Sequence, residues 1–459
     1  MRLHIFKHIL AGVALMAVAS PVVMAQHTQS GYFLDGYMYR YRMNPAIGND
    51  STHFVAVPAI GNLNVAARGN LHVSDIFYNV NGRTTTFMNP GVTVAELMDN
   101  IGNNNRLSTD VNVTLLAGGF KAWGGYNTVT IGARANAAVR LPREVFSLLK
   151  EGVANQSYDI RDIGAHADAF AEIAFGHSRD INKQWRVGGT LKFLLGGANM
   201  DAKFKQARLD LGVDNWSVVA DAELQSSVKG LTYKTDVNDD THHRYVSGID
   251  VDGTGLNGFG MALDLGAVYT LNQDWQFSAS VLDFGFIHWN NNIVASTNGE
   301  RQFYTDRYTF NADNDADNSF DNEWKKLRND FSAIYELDDM GDRGGRTTML
   351  SATLNFAGQY TLPVYRNLTF GLMNTTKIQG AYSWTDFRLS ANVAPVKIFS
   401  ATANMAVGSY GCGFGWLANL HVTGFNLFLG MDHTLGKLTK DGVPLSSNAS
   451  VNFGMNVLF

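Results

Sequence analysis

The chain has 459 residues, of which 45% are hydrophobic, 12% are aromatic and 17% are charged, so it carries less charge than the roughly 25% of soluble domains. Its formal net charge is −5 and it has no run of lysines and arginines, which gives no reason to expect nucleic acid as a partner. Cys412 is the only cysteine, which excludes an intrachain disulfide and a metal site of four thiolates.

The first residues have the three parts of a secretory signal peptide. Arg2 and Lys7 form the positive start, Ile9–Ala19 the apolar core and Val23–Ala25 the small-residue cleavage site. The apolar core is about half of the roughly 20 residues that a spanning helix needs. Residues 1–25 therefore predict export. Beyond them no apolar stretch approaches that length, so a position in a membrane would require a closed β-barrel.

Most of the remaining chain alternates between apolar and polar residues with the period of a β-strand. The cleanest example is Thr128–Leu141, whose fourteen residues exceed the usual length of about 5–6 and suit a tilted membrane strand. In Gly164–Gly176 the polar positions carry His166, Asp168 and Glu172. Ionisable groups at every other position fit a wet lumen better than the inside of a sandwich.

The last stretch, Ser450–Phe459, alternates up to a final aromatic residue and resembles the closing strand of a bacterial outer-membrane barrel. Without an excursion at 203–230 the pattern predicts fourteen strands, and with it sixteen. Counting back from the closing strand places the long insertions 199–257 and 290–346 outside the cell and short turns on the other side, as in bacterial barrels. We therefore predict an all-β fold, a transmembrane antiparallel β-barrel over residues 63–459 in the outer membrane of a Gram-negative bacterium.

A short motif in the N-terminal part of the chain is shared with other barrels. The triplet Asn44, Pro45 and Ala46 is similar to one in the long-chain fatty-acid transporter family and in PorV-type barrels of the Bacteroidota, some of which are attached to protein secretion. This resemblance implies that residues 26–62, including the piece Phe54–Ile60, fold inward as a hatch.

A second resemblance rests on Gly258–Trp289, which contains Asp-Leu-Gly-Ala-Val-Tyr and Asp-Phe-Gly-Phe-Ile-His-Trp. These residues resemble an uncharacterised outer-membrane family of the Bacteroidota, of the DUF5723 type. The similarity extends over most of the mature chain as a rhythm of strands, and it implies the same kind of barrel.

Charged residues of the predicted strands are candidates for a site in the lumen. Asp264 lies on the polar face of its strand, whereas Asp283 breaks the alternation, which indicates a bulge. Such residues either bind a ligand or, more often, form an ion network that holds the wall and the hatch together. The candidates are Arg134, Arg140, Asp168, Glu172, Lys192, Asp264 and Asp283.

Two amphipathic stretches in the predicted outer loops favour helices. Pro142–Gly152 and Asp321–Leu337 each place apolar residues on one stripe. The favoured interpretation of the second is a helix that packs on the barrel mouth; a lid over a ligand and a surface for a partner protein are the alternatives. The lid candidates are Phe146, Leu149, Trp324, Leu327 and Phe331.

The acidic stretch that precedes the second helix is the most metal-like part of the sequence. The calcium-binding loop requires a glycine and a glutamate where this chain has Asn318 and Trp324. We therefore expect a solvated acidic loop, with weak calcium binding as the alternative. The calcium candidates are Asp313, Asp315, Asp317 and Asp321. Because the zinc-protease, serine-hydrolase and phosphate-loop motifs are missing, we expect no catalytic residues, no enzyme activity and no cofactor.

The sequence is compatible with two functions. The resemblance to the fatty-acid transporters implies a transporter or channel for small hydrophobic molecules such as fatty acids, with a hatch that moves. The charged faces of strands 128–141 and 164–176 favour a wet or plugged lumen over a path for hydrophobic molecules. The alternative is a structural or docking barrel whose long loops bind a surface or secretion partner. Outer-membrane lipid is an expected partner in both cases.

Overall fold

The computed structural model describes residues 28–49, 52–152, 155–253, 255–309, 319–434 and 448–459, so the predicted signal peptide lies outside the described residues. The first strands are β1 (Phe54–Ala56), β2 (Asn62–Gly69), β3 (Phe77–Val80), β4 (Arg83–Thr86), β5 (Asn104–Ala122), β6 (Gly125–Pro142), β7 (Gln156–Asp159), β8 (Gly164–Asp180), β9 (Trp185–Leu211), β10 (Trp216–Val228), β11 (Leu231–Val237), β12 (Arg244–Val251) and β13 (Gly258–Thr270). They continue with β14 (Trp275–Trp289), β15 (Ile293–Ser296), β16 (Arg301–Tyr304), β17 (Asp338–Asp342), β18 (Arg346–Met349), β19 (Ala352–Thr361), β20 (Leu368–Ile378), β21 (Trp384–Val396), β22 (Phe399–Gly408), β23 (Gly411–Val422), β24 (Phe425–Met431) and β25 (Ala449–Leu458). The α-helices are α1 (Val73–Ile76), α2 (Val94–Asn100), α3 (Arg143–Glu151) and α4 (Phe320–Ala333).

Fourteen strand positions of the described chain form a closed antiparallel barrel, as predicted. The wall runs through β1 with β2, β5, β6, β8, β9, β13, β14, β18 with β19, and then β20 to β25. Closure is visible at Leu63, which is paired with Val113 of β5 on one side and with Phe453 of β25 on the other. Because every wall strand has two neighbours, the barrel leaves no open sheet edge.

The side chains on the outside of the wall are apolar and those inside it are polar, which is the reverse of a soluble protein. In β21, Phe387 and Leu389 point outward and are 55% and 59% exposed, while Arg388 between them is 2% exposed in the lumen. Aromatic pairs, such as Trp185 with Tyr269 at 4.8 Å, lie near the end of the barrel where the turns are short. Apolar outer faces, a polar lumen and an aromatic belt are the features of a transmembrane β-barrel.

The two ends of the barrel differ, and we name them the short-turn end and the long-loop end. At the long-loop end β9 continues past its partner β13 and pairs with β10, as at Ala207 and Ala220. We call the structure built there by β10 to β12, β15 to β17 and α4 the annex. The stretch 203–230 therefore lies outside the wall, consistent with fourteen strands. None of the helices in the described ranges is long and apolar enough to cross a membrane.

The first wall strand differs from its prediction. The sequence placed Phe54–Ile60 in the hatch and a strand over Leu63–Tyr78, but Phe54 is paired in the wall with both Leu458 and Gly119, and β2 ends at Gly69. Between β1 and β2 the backbone leaves the ladder, with Ala59 at φ 63. This interruption destroys the two-residue period, so alternation alone cannot connect the two pieces.

Residues 28–49, which we call the inner segment, lie inside the barrel. Two 3₁₀ turns, Gln29–Gly31 and Arg40–Arg42, and several further turns fold this segment without strands. Its side chains contact wall strands on opposite sides of the lumen: Tyr39 bonds to Asn456 of β25, and Tyr32 bonds to Ser278 of β14. The largest buried cluster among the described residues lies here, inside the lumen and not between layers of secondary structure.

Candidate functional site in the barrel lumen

One carboxylate of the wall holds the start of the inner segment. Asp432, which follows β24 and is 1% exposed, accepts hydrogen bonds from the hydroxyls of Thr28 at 2.9 Å and Ser30 at 2.7 Å. It also accepts from the backbone amides of Gln29 at 2.9 Å and Ser30 at 2.7 Å. Hydrogen bonds to a buried charge are among the stronger ones, so Asp432 fixes this end of the segment.

The Asn-Pro-Ala triplet lies against β9, β13 and β14. The side-chain amide of Asn44 donates to the carbonyl oxygens of Ala267 at 3.4 Å and Ala279 at 3.3 Å. A methyl group added at Gly188 of the wall would lie 2.2 Å from the carbonyl oxygen of Pro45. The triplet therefore fits where the wall has a glycine, which explains why small residues occur at this part of β9.

Six charged side chains, one from the inner segment and five from five neighbouring wall strands, form what we call the lower network. Its members are Arg42, Arg134, Lys192, Glu172, Asp264 and Asp283. Arg134 bonds to both oxygens of Asp283, at 2.7 and 2.8 Å, and Lys192 lies 2.6 Å from Asp283 and 2.7 Å from Asp264. Buried charges are tolerated only when they are paired in this way.

The bulge that the sequence indicated at Asp283 shapes this network. Asp283 has φ 57 at a register shift between β13 and β14, and its backbone amide donates to Asp264 at 2.7 Å. The extra residue turns the Asp283 carboxylate into the lumen, where it meets Arg134 and Lys192. A bulge thus brings a residue from the wrong phase of the strand into the site.

A second set of charges lies nearer the long-loop end, and we call it the upper network. Lys377 lies 2.8 Å from Asp110, and Arg388 lies 3.1 Å from Asp386. Arg388 also donates to the backbone oxygen of Asp432 at 3.1 Å. Its members come from wall strands, except Asp432, which directly follows β24: Arg68, Lys377, Arg388, Asp110, Asp386 and Asp432.

The structure brings together five of the seven predicted lumen residues, all in the lower network: Arg134, Glu172, Lys192, Asp264 and Asp283. Arg140 instead lies 2.8 Å from the half-exposed Asp162 outside this network, and Asp168 pairs with His166 at 3.1 Å. Sequence reasoning missed Arg42 and the whole upper network. Arg42 lies in an aromatic run without alternation, whereas Arg388 sits at a regular polar position of β21 and could have been found there.

Opposite the lower network the lumen contains an apolar patch. The wall contributes Phe54, Met373, Leu417 and Phe428, and the inner segment covers them with aromatic and methionine side chains. Tyr37 meets Phe428 edge to face with ring centroids 4.9 Å apart. We call this contact between wall and inner segment the aromatic seam. Its members from the segment are Tyr32, Phe33, Leu34, Tyr37, Met38, Tyr39, Tyr41 and Met43.

Little space is left beside the lower network. One cavity of about 10 Å³ lies between Tyr41, Glu172 and Lys192, and another of about 30 Å³ lies between Asn136, Asp283 and Lys377. Cavities of this size hold one or two water molecules, whereas ligand pockets measure about 300–1,000 Å³. Neither of these two cavities beside the lower network is therefore large enough for an ordinary small-molecule ligand.

The predicted lid residues lie in two separate places. Phe146 and Leu149 of α3 pack with Phe87 and Leu97 in a cluster between the outer loops. The other candidates belong to α4.

Leu327 and Phe331 of α4 pack against Val218 and Phe303 of the annex. Trp324 is 53% exposed and stacks on Phe320 at 6.4 Å. Leu327 and Phe331 thus face the strands of the annex, whereas Trp324, together with Phe320, is presented to the outside.

The calcium candidates Asp313, Asp315 and Asp317 lie outside the described residues, and Asp321 lies in the first turn of α4. In the part of the chain that the structure describes, no three histidine, cysteine, aspartate or glutamate side chains are grouped as metal ligands.

Comparisons with known proteins give one family and several barrels. The profile described as "Family of unknown function (DUF5723)" matches residues 45–432. No curated protein matches the chain.

Among solved structures, the chain is similar to the Pseudomonas putida toluene transporter TodX, with 7% identity, TM-score 0.38 and 95% of each chain covered. It is similar to a Pseudomonas aeruginosa FadL homologue, with 9% identity, TM-score 0.37 and coverage of 95% of this chain and 99% of that one. It is also similar to the translocator domain of the autotransporter NalP from Neisseria meningitidis, with 8% identity, TM-score 0.35, and 96% and 100% covered.

Proposed function

We propose that this chain, which belongs to the family of unknown function DUF5723, is an outer-membrane transporter for small hydrophobic molecules. Its inner segment closes the barrel. The observation that carries the proposal is the aromatic seam. Lumen faces of barrels are usually polar, yet here Phe54, Leu417 and Phe428 point inward and are covered by the inner segment. A shift of the segment away from this side would leave an apolar slot in the wall.

The polar contacts of the segment fit such a movement. Outside the seam it is held at its start by Asp432, at its centre by Glu172 and at the triplet by the glycine-bearing wall. Each attachment is a small group of hydrogen bonds or ion pairs and none is covalent. The segment can therefore leave its place while the hydrogen bonds of the wall stay intact.

Adjacent glycines of β9 provide a test. Gly188→Ala places a methyl group 2.2 Å from the carbonyl oxygen of Pro45, so the triplet has to move. Gly189→Ala is the matched control, because its methyl group would have its nearest neighbour at 3.6 Å. We expect Gly188→Ala to speed entry of a radiolabelled hydrophobic probe, such as oleate, into proteoliposomes, and Gly189→Ala to leave the rate unchanged.

Native mass spectrometry of the detergent-purified wild type, with lipid extraction of the same sample, gives the second measurement. A retained apolar molecule that is lost in Gly188→Ala would support the aromatic seam as its place. Equal entry rates in both variants, together with an empty wild-type barrel, would contradict the proposed transport.

A docking barrel is the second candidate, and the annex favours it. The annex has its own buried clusters, and α4 presents the stacked pair Phe320 and Trp324 to the outside. If docking is the function, a second polypeptide copurifies with the wild type and is lost in Trp324→Ala. The Gly188→Ala variant would then retain that polypeptide and show no change in entry.

A further inference from the structure

The lower network is electrically neutral only because the inner segment contributes to it. Its three cations are Arg42, Arg134 and Lys192, and its three carboxylates are Glu172, Asp264 and Asp283. All except Arg42 belong to wall strands. If the segment leaves, two cations face three carboxylates.

The upper network does not compensate this difference. It also has three cations and three carboxylates, and all six come from the wall or from the turn that directly follows β24. It therefore stays neutral whether the inner segment is in place or not. Taken together, the wall side chains of the two networks carry one carboxylate more than they carry cations.

The carboxylate that loses its partner is Glu172. It is 0% exposed and is bonded by Arg42, which also donates to the hydroxyl of Thr114 at 3.2 Å. Its other ion-pair partner, Arg134, reaches it only at 3.4 Å, because both terminal nitrogens of that guanidinium are bonded to Asp283. Without Arg42 the cations that remain near Glu172 are Arg134 and Lys192, and both of them are bonded to Asp283.

We propose that Glu172 is a cation site of the opened barrel, occupied by the Arg42 guanidinium while the barrel is closed. Withdrawal of the inner segment exchanges this guanidinium for a small monovalent cation from solution, such as K⁺. The opened lumen consequently favours cations over anions, since a single-sign charge in a narrow lumen raises the local concentration of its counterion. The inference rests on the proposed function in one respect, the movement of the segment.

Reversal potentials of the full-length protein in planar bilayers, under a gradient of KCl, test this. Gly188→Ala displaces the triplet without changing any charge, and Arg42→Gln removes the ion pair of the segment with Glu172 while leaving the wall residues unchanged. We expect openings in both variants with the same reversal potential, of the sign that indicates preference for K⁺. Adding Glu172→Gln to Gly188→Ala should shift that potential towards zero.

The control is Asp274→Asn combined with Gly188→Ala, which also removes one carboxylate but at a position outside the lower network. Asp274 is paired with Arg366 at 2.9 Å in a turn at the short-turn end, so the potential should stay at the Gly188→Ala value. Openings whose potential does not depend on Glu172, or which prefer Cl⁻, would overturn the cation site and leave the movement of the segment standing. A complete lack of openings in folded Gly188→Ala and Arg42→Gln would overturn both.

Discussion

The hydroxyl of Tyr39 donates a hydrogen bond of 2.7 Å to the side-chain oxygen of Asn456 in β25. Asn456 in turn donates to Asn426 of β24 at 3.1 Å, and Asn426 donates to Asn419 of β23 at 2.7 Å. The inner segment is thus joined to a chain of amides that crosses three wall strands. Both Tyr39 and Asn456 are fully buried, so this contact has no water to replace it.

Tyr39→Phe should weaken the attachment of the inner segment to the wall without changing the packing of the ring at position 39. The ring stays in the aromatic seam, but the buried oxygen of Asn456 loses its donor, which costs about 1–3 kcal/mol. Hydrogen exchange measured by mass spectrometry should show faster exchange in peptides of residues 36–43. Unchanged exchange would show that the hydrogen bond contributes nothing to the position of the segment.

Asp432→Asn should free the start of the inner segment. The amide offers one acceptor oxygen in place of two, and Arg68 and Arg388 lose a nearby negative charge. We expect loss of protection at the amides of Gln29 and Ser30, while the wall strands keep theirs. Asp274→Asn, a carboxylate in an exposed turn pair, is the control and should leave these amides protected.

Lys192→Met should lower the stability of the whole barrel. It leaves Asp264 and Asp283 short of a cation in a buried site, and removal of one partner from such a network costs about 3–5 kcal/mol. Lys205→Met is the matched control, since Lys205 is half exposed and pairs with Glu223 at 2.9 Å, a surface pair worth less than about 1 kcal/mol. The midpoint of heat unfolding, read from the mobility shift of the folded barrel on gels, should fall for Lys192→Met only.

The contact between α4 and the β11–β12 hairpin should depend on pH. The ammonium of Lys325, at 2.6 Å, and the guanidinium of Arg328, at 2.9 Å, hold the pKa of Asp240 below its ordinary value. A lowered pKa in the folded state stabilises this contact above the ordinary aspartate pKa, and the stabilisation is lost as the pH falls through the folded value. Fluorescence of tryptophans, including Trp324 on the same helix, should therefore change in acid below about pH 4.

Asp240→Asn is the control for this pH dependence. The variant lacks the titrating group, so the acid change in fluorescence should be absent and the neutral spectrum should resemble that of the acidified wild type. An identical acid transition in both proteins would assign it to other carboxylates.

The sequence predicts those parts of the molecule whose signal is local. Alternation over ten or more residues identifies strands such as β6 and β8, and one break in phase identifies the bulge at Asp283. The contact of Thr28 with Asp432 spans 404 positions of the chain, and the sequence around either residue does not predict it. The role of Arg42 could not be predicted either, because the inner segment consists of turns and its sequence has no regular alternation of polar and apolar residues.

The interrupted first strand determines when the barrel can be completed. β1 and β2 pair with β25, so the circle closes only after nearly the whole chain is available, and Asp432, which holds the inner segment, lies in the same late part. Contacts between such distant positions form slowly, because loop closure has to precede them. The inner segment therefore has to be inside the barrel when β25 pairs with β1 and β2. A chain that closes with residues 28–49 left outside would form a barrel with an empty lumen, and the pairing of β1 and β2 with β25 would have to open again to correct it.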